Sequence, residues 1–168
     1  DVVLNPSQTE AMDAAMKRRV TIVQGPPGTG KTHTAVATLA QLAMEGRGPI
    51  LATAESNVAV DNLLEGLLDL GVRAVRIGRP VKVRETLRMA TLDAQIEDHP
   101  KQDELAIIRD EMDEVHRALP KLKGREKGLA HRDIQHNKKE MRRIEKEMIA
   151  SVLDLSLIHI SEPTRRRH

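Results

Sequence analysis

Eight consecutive residues limit this chain's fold more than any other feature. Gly25-Pro26-Pro27-Gly28-Thr29-Gly30-Lys31-Thr32 follows the pattern G-x-x-x-x-G-K-[ST]. The glycines let the backbone curl until successive N–H groups point inward and cradle phosphate oxygens. Lys31 is placed to reach β- and γ-phosphates, and Thr32 to ligate Mg²⁺. Gly25, Pro26, Pro27, Gly28, Thr29, Gly30, Lys31 and Thr32 are therefore the candidate binding residues for ATP and Mg²⁺, with Lys31 and Thr32 as the catalytic candidates. Such a loop works between a strand and a helix, whose free N–H groups and dipole favour an anion. The β-branched run Val20-Thr21-Ile22-Val23 predicts that strand. A helix is predicted from about Lys31 to Glu45, ended by Gly46-Arg47-Gly48-Pro49.

The neighbouring segments extend the pattern. Asn5 can cap a first helix with Pro6 at its first position. Ala11, Met12, Ala15 and Met16 give that helix an apolar stripe. Ile50–Ala54 predicts a second strand. Ser56 or Asn57 can cap a helix to about Leu70, which Gly71 stops. Arg73–Ile77 predicts a third strand. Strand, helix, strand, helix, strand calls for a parallel sheet with crossover helices, an α/β fold. The 168 residues contain no Phe, Trp or Tyr. The core must be built from aliphatic side chains and Met, and bases cannot be stacked on aromatic rings. Cysteine is also absent, which excludes disulfides and thiolate metal sites.

The character changes near Arg88. From Gln95 to Glu114 there are eight acidic residues against two basic ones, and from Arg117 to Lys146 eleven basic against four acidic. Leu105, Ile108, Met112, Val115 and Leu119 step by three and four, as do Ala130, Ile134, Asn137, Met141, Ile144 and Met148. Two helices meeting along these seams are expected, with Pro120, Gly124 and Gly128 as the turn. The expected arm is an antiparallel helical hairpin whose opposite charges attract across the seam. The basic face of its second helix is either a solvated partner for the acidic helix or a contact for nucleic-acid phosphates.

Two further elements set this loop apart from the many that share its octet. Gln8, in Leu4-Asn5-Pro6-Ser7-Gln8, precedes it, and Glu55-Ser56-Asn57-Val58-Ala59-Val60-Asp61-Asn62-Leu63 follows the second strand. In this order they resemble superfamily 1 helicases of the 1B group, in the branch of the nonsense-mediated-decay and immunoglobulin-mu-binding-protein helicases. Arg76-Ile77-Gly78-Arg79-Pro80 resembles that branch's segment after the third strand. The resemblance covers about Val3 to Ser151. It implies a partial RecA-like P-loop domain carrying a helical hairpin insertion. It also implies that Gln8 reads adenine, that Ser56 and Asn57 touch a nucleic-acid backbone, and that the parent protein is an ATP-driven helicase acting on single-stranded DNA or RNA. Glu55 stands where the family has Pro. From the residues alone, Gln8 also fits a capping box with Asn5, and Ser56 and Asn57 fit helix caps.

The expected organisation is a RecA-like core over 1–87, the hairpin over 88–150, and a truncated end over 151–168. An acidic strand motif for Mg²⁺ and water is missing; Val152-Leu153-Asp154 only imitates it. Leu155–Arg165 resembles a translated sequencing adapter, so that the natural frame stops near Asp154 and Arg165-Arg166-Arg167 is no targeting signal. That reading predicts a poorly stable fragment without hydrolytic activity of its own. No membrane span or signal peptide is evident, and an intracellular protein is expected, cytoplasmic or, in a eukaryote, nuclear. Two other readings stay open: an AAA+ ATPase fragment, which needs a downstream acidic strand, and a non-hydrolysing nucleotide-binding or coiled-coil interaction module, which would work through Leu105–Met148.

Overall fold

The computed structural model describes residues 2–78, 83–156 and 158–161. Helix α1 spans Pro6–Lys17. Its capping box is closed at both ends: the Asn5 side chain accepts from the Gln8 N–H at 2.9 Å, and the Gln8 side chain accepts from the Asn5 N–H at 3.0 Å. Helix α2 spans Lys31–Met44. Strand β1 (Ile50–Thr53) leads to α3 (Asn57–Asp69), which ends before Gly71 at a φ of +72°. Strand β2 covers Ala74–Ile77. A 3₁₀ turn at Glu85–Ala90 and the short α4 (Leu92–Glu97) follow.

The sheet has the order β1-β3-β2, all parallel, and its central strand β3 is Ile158–Ser161. Ile158 pairs with Ile50 and Ala74, and Ile160 with Ala52 and Arg76. The segment that resembles a translated adapter thus supplies the central strand of the sheet. Ile158, His159 and Ile160 alternate apolar and polar, as a strand requires, and both isoleucines are fully buried. The other residues of that segment, Leu157 and 162–168, lie outside the described residues, as do Arg79 and Pro80.

Val20–Val23 does not form the expected strand. A strand is stable only as part of a ladder, and among the described residues none runs beside this segment. Val20 and Ile22 are 78% and 88% exposed as a result. Thr21 Oγ1 donates to the Ala14 carbonyl at 3.2 Å, tying the segment to α1.

The core joins Val36, Ala40 and Ala43 of α2, Val60, Leu64 and Leu67 of α3, and Ile158 and Ile160 of β3. Helices α2 and α3 approach closely: a Cβ at Gly66 would lie 2.9 Å from a Val36 methyl, so glycine is needed there. Residues 2–94 with 153–161 form one compact unit and 95–152 a second.

In the second unit, α5 (Gln102–Ala118) and α6 (Gly124–Leu155) are joined by a 3₁₀ turn at Leu119–Lys121. Leu105 near the start of α5 packs with Ile144 and Met148 near the end of α6, the antiparallel arrangement expected. Gly124 opens α6 and Gly128 lies inside it, so the turn is shorter than expected. The expected attraction across the seam is also not realised: among the described residues no ion pair joins an acidic residue of α5 to a basic residue of α6. The link is instead Lys101 to Glu147 at 2.5 Å. Helical periodicity explains this, because all but Lys127 and Lys138 of the basic residues of α6 lie away from its apolar stripe. Val152-Leu153-Asp154 sits in the last turns of α6, not on a strand.

Candidate functional site

The loop Gly25–Gly30 connects the unpaired segment to α2. Gly28 and Gly30 take φ of +81° and +80°, which L-residues rarely adopt. At Gly25 a side chain would meet Thr29 Oγ1 at 2.8 Å. That hydroxyl donates to the Pro26 carbonyl at 2.9 Å and so closes the turn. Lys31, the first residue of α2, arches back over the loop. Its Nζ donates to the Gly25 and Pro26 carbonyls, each at 2.8 Å. Thr32 follows it, exposed, in the first turn.

Gln8 joins this loop from α1. Its Nε2 donates to the Thr29 carbonyl at 3.1 Å. A Cβ at Gly30 would sit 2.6 Å from that nitrogen, so the close approach of Gln8 depends on glycine there. Capping and loop contact are thus compatible in one side chain. The amide still has one N–H and one lone pair unspent. Gln8, Gly25, Pro26, Thr29 and Lys31 all line an open groove of about 1320 Å³ between α1 and residues 20–26.

Ser56 and Asn57 stand elsewhere in the same unit, outside the lining of that groove. Ser56 caps α3, its Oγ accepting from the Ala59 N–H at 3.2 Å. Asn57 Oδ1 accepts from Arg76 Nη2 at 2.6 Å, while Arg76 Nε donates to Asp61 Oδ1 at 3.0 Å. The two charged side chains are 1% and 4% exposed. The Arg76–Asp61 pair escaped the sequence reading. Its signal was present: Asp61 adjoins Val60 and Leu64 on the apolar face of α3, where a carboxylate needs a buried partner. Glu55 is exposed.

Known proteins resemble this chain over most of its length. The family described as AAA domain matches residues 3–158. DNA-binding protein SMUBP-2 of Mesocricetus auratus is 37% identical over 155 residues, covering 91% of this chain and 16% of that protein. An ATP-dependent helicase of Methanocaldococcus jannaschii is 34% identical over 164 residues, or 92% and 25%. The regulator of nonsense transcripts 1 homolog of Arabidopsis thaliana is 33% identical over 150 residues, or 88% and 11%. The chain therefore spans a quarter or less of the length of these relatives.

Proposed function

The chain belongs to the AAA domain family, and on that premise we propose that it is the ATP-binding part of a helicase that couples ATP hydrolysis to movement along single-stranded DNA or RNA. The observation that carries the reading is the meeting of Gln8 with the phosphate loop through the Thr29 carbonyl. A generic phosphate loop does not call for a glutamine at that place. The names of the relatives favour a helicase over a ring-forming AAA+ ATPase.

The roles follow from what each residue has left to give. Gly25, Gly28, Thr29 and Gly30 present backbone N–H groups to the phosphates, while Pro26 and Pro27, which have no N–H to donate, restrict the course of the loop. The Lys31 ammonium exchanges its two carbonyl acceptors for β- and γ-phosphate oxygens, a stronger, charge-assisted bond. The Thr32 hydroxyl would hold Mg²⁺, which when bound would supply neutralising charge at the phosphoryl oxygens. The remaining N–H and lone pair of Gln8 match N7 and N6–H₂ of adenine. The Ser56 hydroxyl proton and the Asn57 amide N–H₂ serve as donors to phosphates of the nucleic-acid strand. Arg76 holds the Asn57 oxygen, and the Asn57 N–H₂ makes no hydrogen bond among the described residues.

The test is ATP binding by Lys31→Ala, measured by calorimetry. Lys31 is exposed, so the substitution leaves no buried group unpaired. Binding should fall at least about tenfold, roughly 1.4 kcal/mol, with the circular dichroism unchanged. Unchanged ATP affinity would overturn the assignment.

A further inference from the structure

Helix α6 sorts its charges by heptad. Ile134, Met141 and Met148, with Ala130 and Ile144, make up its inward stripe. Ala130, Ile134, Ile144 and Met148 are buried. Glu126, Asp133, Glu140 and Glu147 recur every seven residues along one flank of that stripe. Arg125, Arg132, Lys139 and Lys146 recur every seven residues on the side facing away from it, and Arg142 lies beside them. All five of these basic residues are exposed. Among the described residues none of them takes part in an ion pair or a side-chain hydrogen bond. Arg143 differs, because it is held by Glu140 and Glu147.

The sorting is more than a solvated face requires. A helix evolved only for solubility mixes both signs around its outer surface and gains from i,i+4 pairs. Here four carboxylates lie on one flank, where Arg143 and Lys101 neutralise two of them, and Glu145 lies on the other flank, so none stands on the outward stripe. The outward stripe is left basic over 21 residues, about 32 Å of helix. Its cations recur at about 10.5 Å, a long line of positive potential without a carboxylate on it. The chain has no aromatic residue to stack a base. A surface of this kind reads charge and spacing, not sequence.

We propose that the outward face of α6 is a second nucleic-acid contact, gripping the phosphate backbone through Arg125, Arg132, Lys139, Arg142 and Lys146. It is separate from the contact at Ser56 and Asn57, and it rests on the proposed function only in taking a nucleic acid as partner. The contact is independent of sequence and of ATP, and it depends steeply on salt, because each neutralised phosphate releases condensed counterions.

The experiment uses the whole 168-residue chain and a fluorescent dT₃₀ oligonucleotide, with anisotropy titrations between about 50 and 200 mM salt. The variant carries Arg132→Gln, Lys139→Gln, Arg142→Gln and Lys146→Gln, all on exposed positions, and circular dichroism checks that it stays helical. The slope of log K against log salt should fall by about 3, close to 0.7 for each of the four contacts removed. Affinity at 50 mM salt should drop more than tenfold, with ATP binding unchanged. An unchanged slope overturns the proposal. If Asn57→Ala weakens binding while the fourfold variant does not, the stripe fails and the Ser56–Asn57 reading stands. If the fourfold variant weakens binding and Asn57→Ala does not, the stripe stands and that reading fails. Competition by polyglutamate as strong as by unlabelled oligonucleotide would show a surface for any polyanion, and would also overturn the assignment to nucleic acid.

Discussion

Removing the carboxylate of Asp61 would leave the 1%-exposed Arg76 guanidinium with the neutral Asn57 oxygen as its side-chain acceptor among the described residues. A buried ion pair adds little net stability, because desolvation consumes most of its attraction, but stranding one partner is costly. Asp61→Ala should therefore lower stability by about 3–5 kcal/mol. Adding Arg76→Met should recover most of that loss, since an apolar side chain needs no partner. Urea unfolding followed by circular dichroism measures both. A loss below about 1 kcal/mol for Asp61→Ala would mean that water reaches the pair. The same arithmetic separates the two faces of the site. Lys31 is exposed and can be removed without disturbing the fold, so its loss reads out as binding. Arg76 is buried, so its loss reads out as stability first.

Helix α6 offers the test of how charge supports an element. Arg143 Nη1 donates to Glu147 at 2.6 Å and also bonds Glu140. Its bond to Glu140 holds that carboxyl below the ordinary 4.5. The Lys101 ammonium, with Arg143 behind it, does the same for Glu147. A carboxyl depressed in the folded state contributes stability above its unfolded value and loses it as pH falls through its folded value. The helical signal should accordingly weaken as pH drops below about 4.5. Arg143→Ala should flatten part of that pH dependence, and high salt should shrink it, because these groups are exposed. If the acid titration of the variant overlays that of the parent at low salt, the pairs are crystal-like contacts without weight in solution. The helices were the legible part of this chain. Asn5, Pro6, Ser56 and Gly71 mark their ends by local chemistry, and the seam residues of the arm follow from spacing. The direction of the charges was also in the spacing: the heptad positions of Arg125, Arg132, Lys139 and Lys146 turn them outward, not toward α5, which a count of basic residues does not show. The strands were less legible. Val20–Val23 has the right composition and no neighbour, whereas Ile158–Ser161 has the neighbours and was set aside with the segment that holds it. Pairing is a property of two sequences brought together, so neither outcome could be read from one segment.

At the scale of the whole molecule the central strand decides how far the ATP-binding loop depends on the rest. Among the described residues β1 and β2 make no ladder with each other; each is laddered to β3, and β2 adds a single bridge from Arg76 to Thr91. Ile158 and Ile160 are fully buried and share one cluster with Val36 and Ala40 of α2. Lys31 and Thr32 ride on the first turn of that helix, so the support of the phosphate loop runs through the core to residues 158–161. Ile160→Ala should cost about 2–5 kcal/mol by transfer and cavity terms, a large share of the 5–15 kcal/mol typical of a folded domain. Apparent ATP affinity should then fall only in proportion to the unfolded fraction. An excluded osmolyte, which favours burial, should restore it. Lys31→Ala should behave oppositely, keeping its unfolding midpoint and gaining nothing from osmolyte. If Ile160→Ala left the urea midpoint in place, β3 would not be part of the core in solution. Helix α2 would then have to be held by its contacts with α1 and α3.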